Sequence, residues 1–136
     1  MLKEGIKGKQ TVTADASNSA KTMGSGSLDV FATPAMVALM EKTAVKSLEE
    51  VLEEGQTTVG IALDIKHSAA TPLGMTVTCE SELVAVDGRK LTFKVTASDE
   101  RGVIGSGMHE RFIVDAERFQ EKTNNKQRTC RKRLAA

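Results

Sequence analysis

A chain of 136 residues is the length of one domain, and a hydrophobic fraction of 40% is enough to bury a single core. Aromatic residues make up only 3%, with no Trp and no Tyr, and the formal net charge is +1. That balance argues against a protein that stacks nucleic-acid bases and against a strongly charged surface for nucleic acid or membrane. No stretch reaches the length of a membrane span, and the first ten residues lack the apolar core of a signal peptide. Cys79 and Cys130 lie in no CxxC or metal-ligand spacing, so both are expected to be free thiols of a cytoplasmic protein with no bound metal.

Taken in order, residues 1–9 are a polar lead-in and Gln10–Ala16 is a weak first strand supported by Val12 and two threonines. Asn18–Leu28 is rich in small and polar residues and reads as a flexible rim or a plain linker. Thr33–Glu54 is then predicted as one long helix. Thr33 is a preferred N-cap type, Pro34 falls in the first turn, and Gly55 marks the stop. At 100° per residue Val37, Met40, Ala44, Val45, Leu48, Val51 and Leu52 share one face, with Lys42, Lys46 and several glutamates opposite. Glu41 interrupts the apolar stripe. A glutamate there is costly to desolvate unless it is paired or faces a wet cleft, which makes it a candidate acid or base; the plain alternative is a tolerated residue at a helix edge or subunit contact.

Thr57–His67 alternates as a strand, with Val59, Ile61, Leu63, Ile65 and His67 on the face expected to pack on the helix. An inward histidine alone is more often structural, but an inward acid and an inward histidine can share one site. Met75–Val86 and Arg89–Ser98 read as a hairpin through Asp87-Gly88. Val103–Val114 is the last strand, with Ile104, Met108, Phe112 and Val114 on its apolar face. Gly105, Gly107, His109 and Arg111 fall on the other, where missing side chains invite close approach. A short helix begins near Asp115. Residues 1–121 thus form the domain, and the charged stretch 122–136 is expected to be a disordered tail. The class is α+β: an antiparallel sheet of about five strands wrapped around one helix, which is the hotdog arrangement or another roll.

Four segments together, VFATPAMVALMEKTAV (Val30–Val45), TTVGIALDIKHSAATPLGMTVT (Thr57–Thr78), VDGRKLTFKVTASD (Val86–Asp99) and IGSGMHERFIV (Ile104–Val114), resemble the hotdog-fold acyl-CoA thioesterases related to fluoroacetyl-CoA thioesterase. The resemblance spans roughly residues 3–121 and implies the hotdog fold and a homodimer with active sites at the subunit interface. It implies catalytic roles for Thr33, Glu41 and His67, and places Gly60 and Arg111 beside the bound acyl group. The segment before the helix, TMGSGSL (Thr22–Leu28), departs from the phenylalanine-bearing pattern of the fluoroacetyl-specific enzyme, so a different short acyl group is expected.

The implied reaction is hydrolysis of a short-chain acyl-CoA to free acid and coenzyme A, which enters as part of the substrate, with no other cofactor. Glu41 would attack the carbonyl or activate a water, His67 would act as acid–base partner, and Thr33 would orient by hydrogen bonding. Lys66, Arg89, Lys90 and Arg111 are the basic candidates for the coenzyme A phosphates. Two other readings use the same residues: a hotdog enoyl-CoA hydratase or dehydratase, and a non-catalytic acyl-CoA-binding domain.

Overall fold

In a computed structural model the described backbone covers residues 2–135 and the described side chains residues 2–128. The chain runs β1 (Lys7–Thr13), a single 3-10 turn (Ala16–Asn18), α1 (Ala20–Met23), α2 (Thr33–Ser47), β2 (Gln56–His67), β3 (Thr76–Asp87), β4 (Lys90–Asp99), β5 (Gly102–Asp115) and α3 (Ala116–Ala135). The strands form one antiparallel five-stranded sheet in the order β1-β3-β4-β5-β2, with α2 against one face: the expected α+β architecture. Among the described residues no helix is long and apolar enough to cross a membrane.

Cross-strand register explains the core. Leu83 pairs with Phe93, Phe93 with His109 and His109 with Leu63, so one row crosses four strands on the helix side. Val77, Cys79, Leu83, Leu91, Phe93, Val95 and Ala97 are fully buried there against Met36, Met40 and Ala44 of α2 and Leu48 just beyond it. Burial also pushes the Cys79 thiol above its ordinary pKa.

Several boundaries differ from the sequence reading. β1 begins at Lys7, not Gln10, because its pairing with Thr76–Glu82 of β3 outweighs a polar composition that hides the strand pattern. The Asn18–Leu28 segment is not a plain linker: Asp15 caps the 3-10 turn, and the Ser19 side chain accepts from the Thr22 amide to start α1. The hairpin loop is Gly88-Arg89, one residue later than expected, since Asp87 pairs with Lys90.

α2 stops at Ser47 and the chain continues as turns to Gly55. Glu49, Glu50, Glu53 and Glu54 explain why. They would load negative charge onto the negative end of the helix dipole and set like charges four apart. The buried stripe is accordingly Met36, Leu39, Met40, Thr43, Ala44 and Leu48, which leaves Glu41 half-exposed at its edge.

Beyond residue 121 the backbone is helical, not irregular. α3 starts on the Asp115 carboxylate, which accepts from the Arg118 amide at 2.9 Å, and runs on without Gly or Pro through a sequence rich in Glu, Gln, Lys and Arg. Its described side chains are exposed. The expectations for Cys130 and for the basic side chains of Arg131, Lys132 and Arg133 lie outside the described residues.

Candidate active site

Thr33 is not the N-cap. Ala32 holds that position, with no side-chain cap, and Pro34 follows Thr33 in the first turn. The Ala32 carbonyl takes the Met36 amide at 3.0 Å. The Thr33 hydroxyl is thus free of capping, and it lies 2.7 Å from His67 Nδ1 at the end of β2. Gly105 makes this approach possible. A Cβ there would stand 2.7 Å from Met36 Cε and 2.8 Å from the Lys66 carbonyl, so only glycine lets α2 settle beside the end of β2. Ser68 fixes the same corner by donating both its amide, at 2.7 Å, and its hydroxyl, at 3.2 Å, to the Ile104 carbonyl. His67 Nε2 is buried and meets no protein partner.

Two turns along α2, a second group forms. The Arg111 guanidinium is 6% exposed; Nε donates to Thr58 Oγ1 at 2.8 Å and Nη2 to the Thr58 carbonyl at 3.0 Å. That leaves Nη1 facing Glu41 Oε2 at 3.2 Å and His109 Nε2 at 3.1 Å. A fully buried His109 completes the frame. Its Nδ1 lies 2.9 Å from the Ala62 carbonyl, an acceptor only, so Nδ1 carries the proton and Nε2 is left to accept from Arg111. Burial, with Arg111 close by, holds the His109 pKa below the ordinary histidine value, which keeps it a neutral acceptor. Gly60 is the floor of this group: a Cβ on it would sit 2.8 Å from Glu41 Oε2 and 3.3 Å from Arg111 Nη1.

The faces of β2 and β5 follow from one irregularity. A bulge between Gly60 and Ala62 leaves Ile61 unpaired and reverses the phase of β2. Before it Thr58 and Gly60 face the helix; after it Leu63, Ile65 and His67 do, as their pairing with β5 shows. Simple alternation therefore placed Leu63, Ile65 and His67 correctly and Val59 and Ile61 wrongly. On β5 Ile104 is buried in the core as expected, but beyond Gly105 the expected faces are exchanged. Met108 and Phe112 lie outside, while Gly105, Gly107, His109, Arg111 and Ile113 line the helix side. The polar residues read as outward are inward because they satisfy one another. His109 was thereby missed as part of the site; its pairing opposite Phe93 and Leu63 was not visible in one strand's pattern.

Within one chain the site residues fall into two groups, Thr33 with His67 and Glu41 with Gly60 and Arg111. Thr33 and Glu41 are separated by about 12 Å of helix rise, and Gly60 and His67 by roughly 20 Å of strand. Beside the first group a cavity of about 490 Å³ opens between the segment before α2 and the turn after β2, with Thr33 and His67 in its wall. Of the basic candidates for phosphate, Arg111 is committed to the interior and Lys90 pairs with Glu110 at 2.8 Å, which leaves Lys66 and Arg89 exposed. Among the described residues no group of three or more His, Cys, Asp or Glu side chains is placed to hold a metal ion.

A family model described as fluoroacetyl-CoA-specific thioesterase matches residues 12–117. A fluoroacetyl-CoA thioesterase from Streptantibioticus cattleyicolor is 45% identical over 98 residues, 72% of this chain and 70% of that protein. The solved structure of the fluoroacetyl-CoA thioesterase FlK superposes with a TM-score of 0.86 at 34% identity, covering 93% of this chain and 98% of that one. A threonine-to-serine variant of FlK in complex with acetyl-CoA gives 0.87 at 34% identity, covering 92% and 98%. A Thermus thermophilus hypothetical protein of the thioesterase superfamily shares the fold, with a TM-score of 0.88 at 23% identity over 96% of this chain and 97% of that one.

Proposed function

We infer, for a chain that belongs to the fluoroacetyl-CoA-specific thioesterase family, that Glu41, His67 and Thr33 hydrolyse an acyl-CoA thioester in a site completed by a second copy of the chain. The observation that carries this reading is the half-exposed Glu41 carboxylate, 40% accessible and held from one side by a buried guanidinium. Arg111 fixes Oε2, which leaves Oε1 turned to substrate or water.

In the water route Glu41 takes a proton as the water oxygen bonds to the thioester carbonyl carbon. The C–S bond then breaks and the proton passes to sulfur, so thioester and water give acid and thiol. In the covalent route the carboxylate itself adds and the thiolate leaves with a proton from the imidazolium of His67. Water then cleaves the resulting anhydride. Both routes use only side chains of this protein. The Thr33 hydroxyl, 2.7 Å from Nδ1, orients the imidazole, whose buried Nε2 meets no partner within the chain.

Two observations support the dimer. The separation of the two residue groups leaves neither complete alone. β2 is also an open sheet edge that carries Ile61 and Leu63 at 50% and 44% exposure, and unpaired apolar edges are covered in stable proteins. A cytoplasmic location belongs to the same reading, with Cys79 a buried free thiol.

The test is thiol release from a panel of acyl-CoAs by the wild type, Glu41→Ala and His67→Ala. Each variant is expected to lose at least about a hundredfold in kcat/KM. Mixing the two inactive variants should restore up to about a quarter of the activity if each site draws on both copies. No wild-type turnover of any acyl-CoA would overturn the function. Turnover by the wild type without restoration on mixing would overturn the shared site alone.

A further inference from the structure

We propose that His109 is a positioning residue of the hydrolysis: as a neutral imidazole it holds the Arg111 guanidinium so that one Nη1 proton stays on Glu41, and taking up a proton releases that hold. The proposal rests on the thioesterase reading above and deepens it, because it names what keeps the Glu41 carboxylate aimed and what switches that aim off. It begins with spacing. His109 and Arg111 are two residues apart on β5, so both point to the helix side. The row they join is otherwise apolar: Leu83, Phe93 and Leu63 lie across the neighbouring strands, and the Phe93 ring centroid is 6.4 Å from that of the fully buried His109. An apolar side chain would fill this place without desolvating two ring nitrogens. What the imidazole adds is hydrogen bonding of fixed polarity.

That polarity can be followed bond by bond. The Ala62 carbonyl, 2.9 Å from Nδ1, can only accept, so Nδ1 carries the proton and Nε2 offers its lone pair to Nη1 at 3.1 Å. Thr58 holds the rest of the guanidinium, through Nε at 2.8 Å and Nη2 at 3.0 Å. A planar fork anchored at all of its nitrogens has no free rotation left, and the remaining Nη1 proton is directed at Glu41 Oε2, 3.2 Å away. Among the described residues Arg111 is the one hydrogen-bond partner of that carboxylate, so Glu41 is aimed only as well as Nη1 is. Without an acceptor at position 109, one Nη1 proton would be buried with no partner and the fork would lose an anchor.

Protonation acts more strongly than removal. An imidazolium has N–H on both nitrogens; with Nδ1–H held by Ala62, Nε2–H would face Nη1–H, donor against donor and cation against cation, in a buried place. Nη1 must then leave its position, and Glu41 loses its fixed partner. The surroundings set when this happens. Arg111 of β5 and Glu41 of α2 are the charged groups that face His109, while β2 and β4 present only the uncharged Ala62, Leu63 and Phe93. Burial lowers the His109 pKa below its ordinary 6.5 and Arg111 adds to this, against the Ala62 hydrogen bond and the Glu41 charge. The hold is therefore intact at neutral pH and is lost on the acid side.

The experiment is kcat and KM by thiol release, on the acyl-CoA turned over fastest in the panel, for wild type, His109→Gln, His109→Leu, Glu41→Ala and the double variant His109→Leu with Glu41→Ala, each checked by a thermal melt. At pH 7.5 His109→Leu is expected to lose about ten- to a hundredfold in kcat with KM within about threefold of wild type. His109→Gln, whose amide oxygen can accept from Nη1 but does not titrate, should recover kcat to within about fivefold of wild type. The double variant should be no slower than Glu41→Ala, since His109 acts through Glu41. Between pH 7.5 and 5.5 the wild type should lose at least about threefold more of its kcat/KM than His109→Gln does. Four results would each overturn the proposal and leave the thioesterase standing: wild-type kcat in a folded His109→Leu, His109→Gln as slow as His109→Leu, additive losses in the double variant, or equal fractional losses with pH in wild type and His109→Gln. Where His109→Leu does not fold, His109→Gln and its pH profile decide alone. Absence of wild-type turnover on every thioester would instead refute the function on which the proposal rests.

Discussion

Replacing Gly60 with alanine isolates the position of the Glu41 carboxylate from its chemistry. The added Cβ would stand 2.8 Å from Oε2, where ordinary contact begins at 3.4 Å, so the carboxylate must retreat by 3.4 − 2.8 = 0.6 Å. Arg111 cannot follow, since Nε and Nη2 are pinned on Thr58. The 3.2 Å contact between them is therefore lengthened or re-aimed. A misplacement of about 1 Å can cost on the order of a hundredfold, so 0.6 Å is expected to lower kcat/KM by roughly ten- to a hundredfold, or about 1.4–2.7 kcal/mol of barrier. Stability should hardly move. Gly60 does not have positive φ, and the group displaced is the free end of a flexible side chain, so Tm should stay within about 4 °C. Thiol release and a thermal melt on Gly60→Ala, Glu41→Ala and the double variant decide it. If Gly60 acts through Glu41, the double variant is no slower than Glu41→Ala. Wild-type kcat/KM in Gly60→Ala, or additive losses in the double variant, would refute the reasoning.

Other substitutions probe the remaining contacts. Thr33→Val, which removes the 2.7 Å hydrogen bond to His67, should cost roughly ten- to a hundredfold in kcat/KM, while Thr33→Ser stays within about threefold. Gly105→Ala drives a methyl into Met36 and the β2 backbone and should destabilise by about 1–3 kcal/mol in urea unfolding. His109 is depressed below its ordinary pKa of 6.5 by burial. The unfolded chain therefore binds the proton more readily, and the stability this group contributes is complete above about pH 6.5 and declines as pH falls from there towards the folded value, by at most about 1.4 kcal/mol per pH unit. Urea melts of wild type and His109→Gln at pH 7.5, 6.5 and 5.5 should converge as pH falls; parallel curves would count against a buried neutral histidine.

Much of the fold was legible because its signals are local. Pro34 and Gly55 bracketed the helix region, the Asp87-Gly88 pair announced the β3–β4 hairpin to within one residue, and β2 to β5 were bounded closely. Two kinds of error had non-local causes. β1 owes its boundaries to pairing with β3, which its polar sequence does not reveal. The faces of β5 beyond Gly105 were exchanged because Met108 and Phe112 are apolar yet outside, whereas His109 and Arg111 are polar yet mutually satisfied inside. The site followed the same division. Glu41 stood out as an acid in an apolar stripe and His67 as the end of an alternating strand. The partners that aim Glu41, Arg111 through Thr58 and His109 through Ala62, depend on contacts more than forty residues apart in sequence, at separations of 53 and 47.

The bulge at Ile61 makes the length of β2 as much a part of the site as its residues. Gly60 and His67, an odd number of residues apart, face the same side because one extra residue lies between two alternating runs. Deleting that residue would straighten the strand and keep its hydrogen-bonding edge. It would also leave Gly60 and His67 an even six residues apart, so both would still face the helix opposite Arg111 and Gly105. Loss of the bulged residue is therefore compatible with the site, whereas a one-residue insertion or deletion between Gly60 and His67 that keeps the bulge would turn one of them away from the helix.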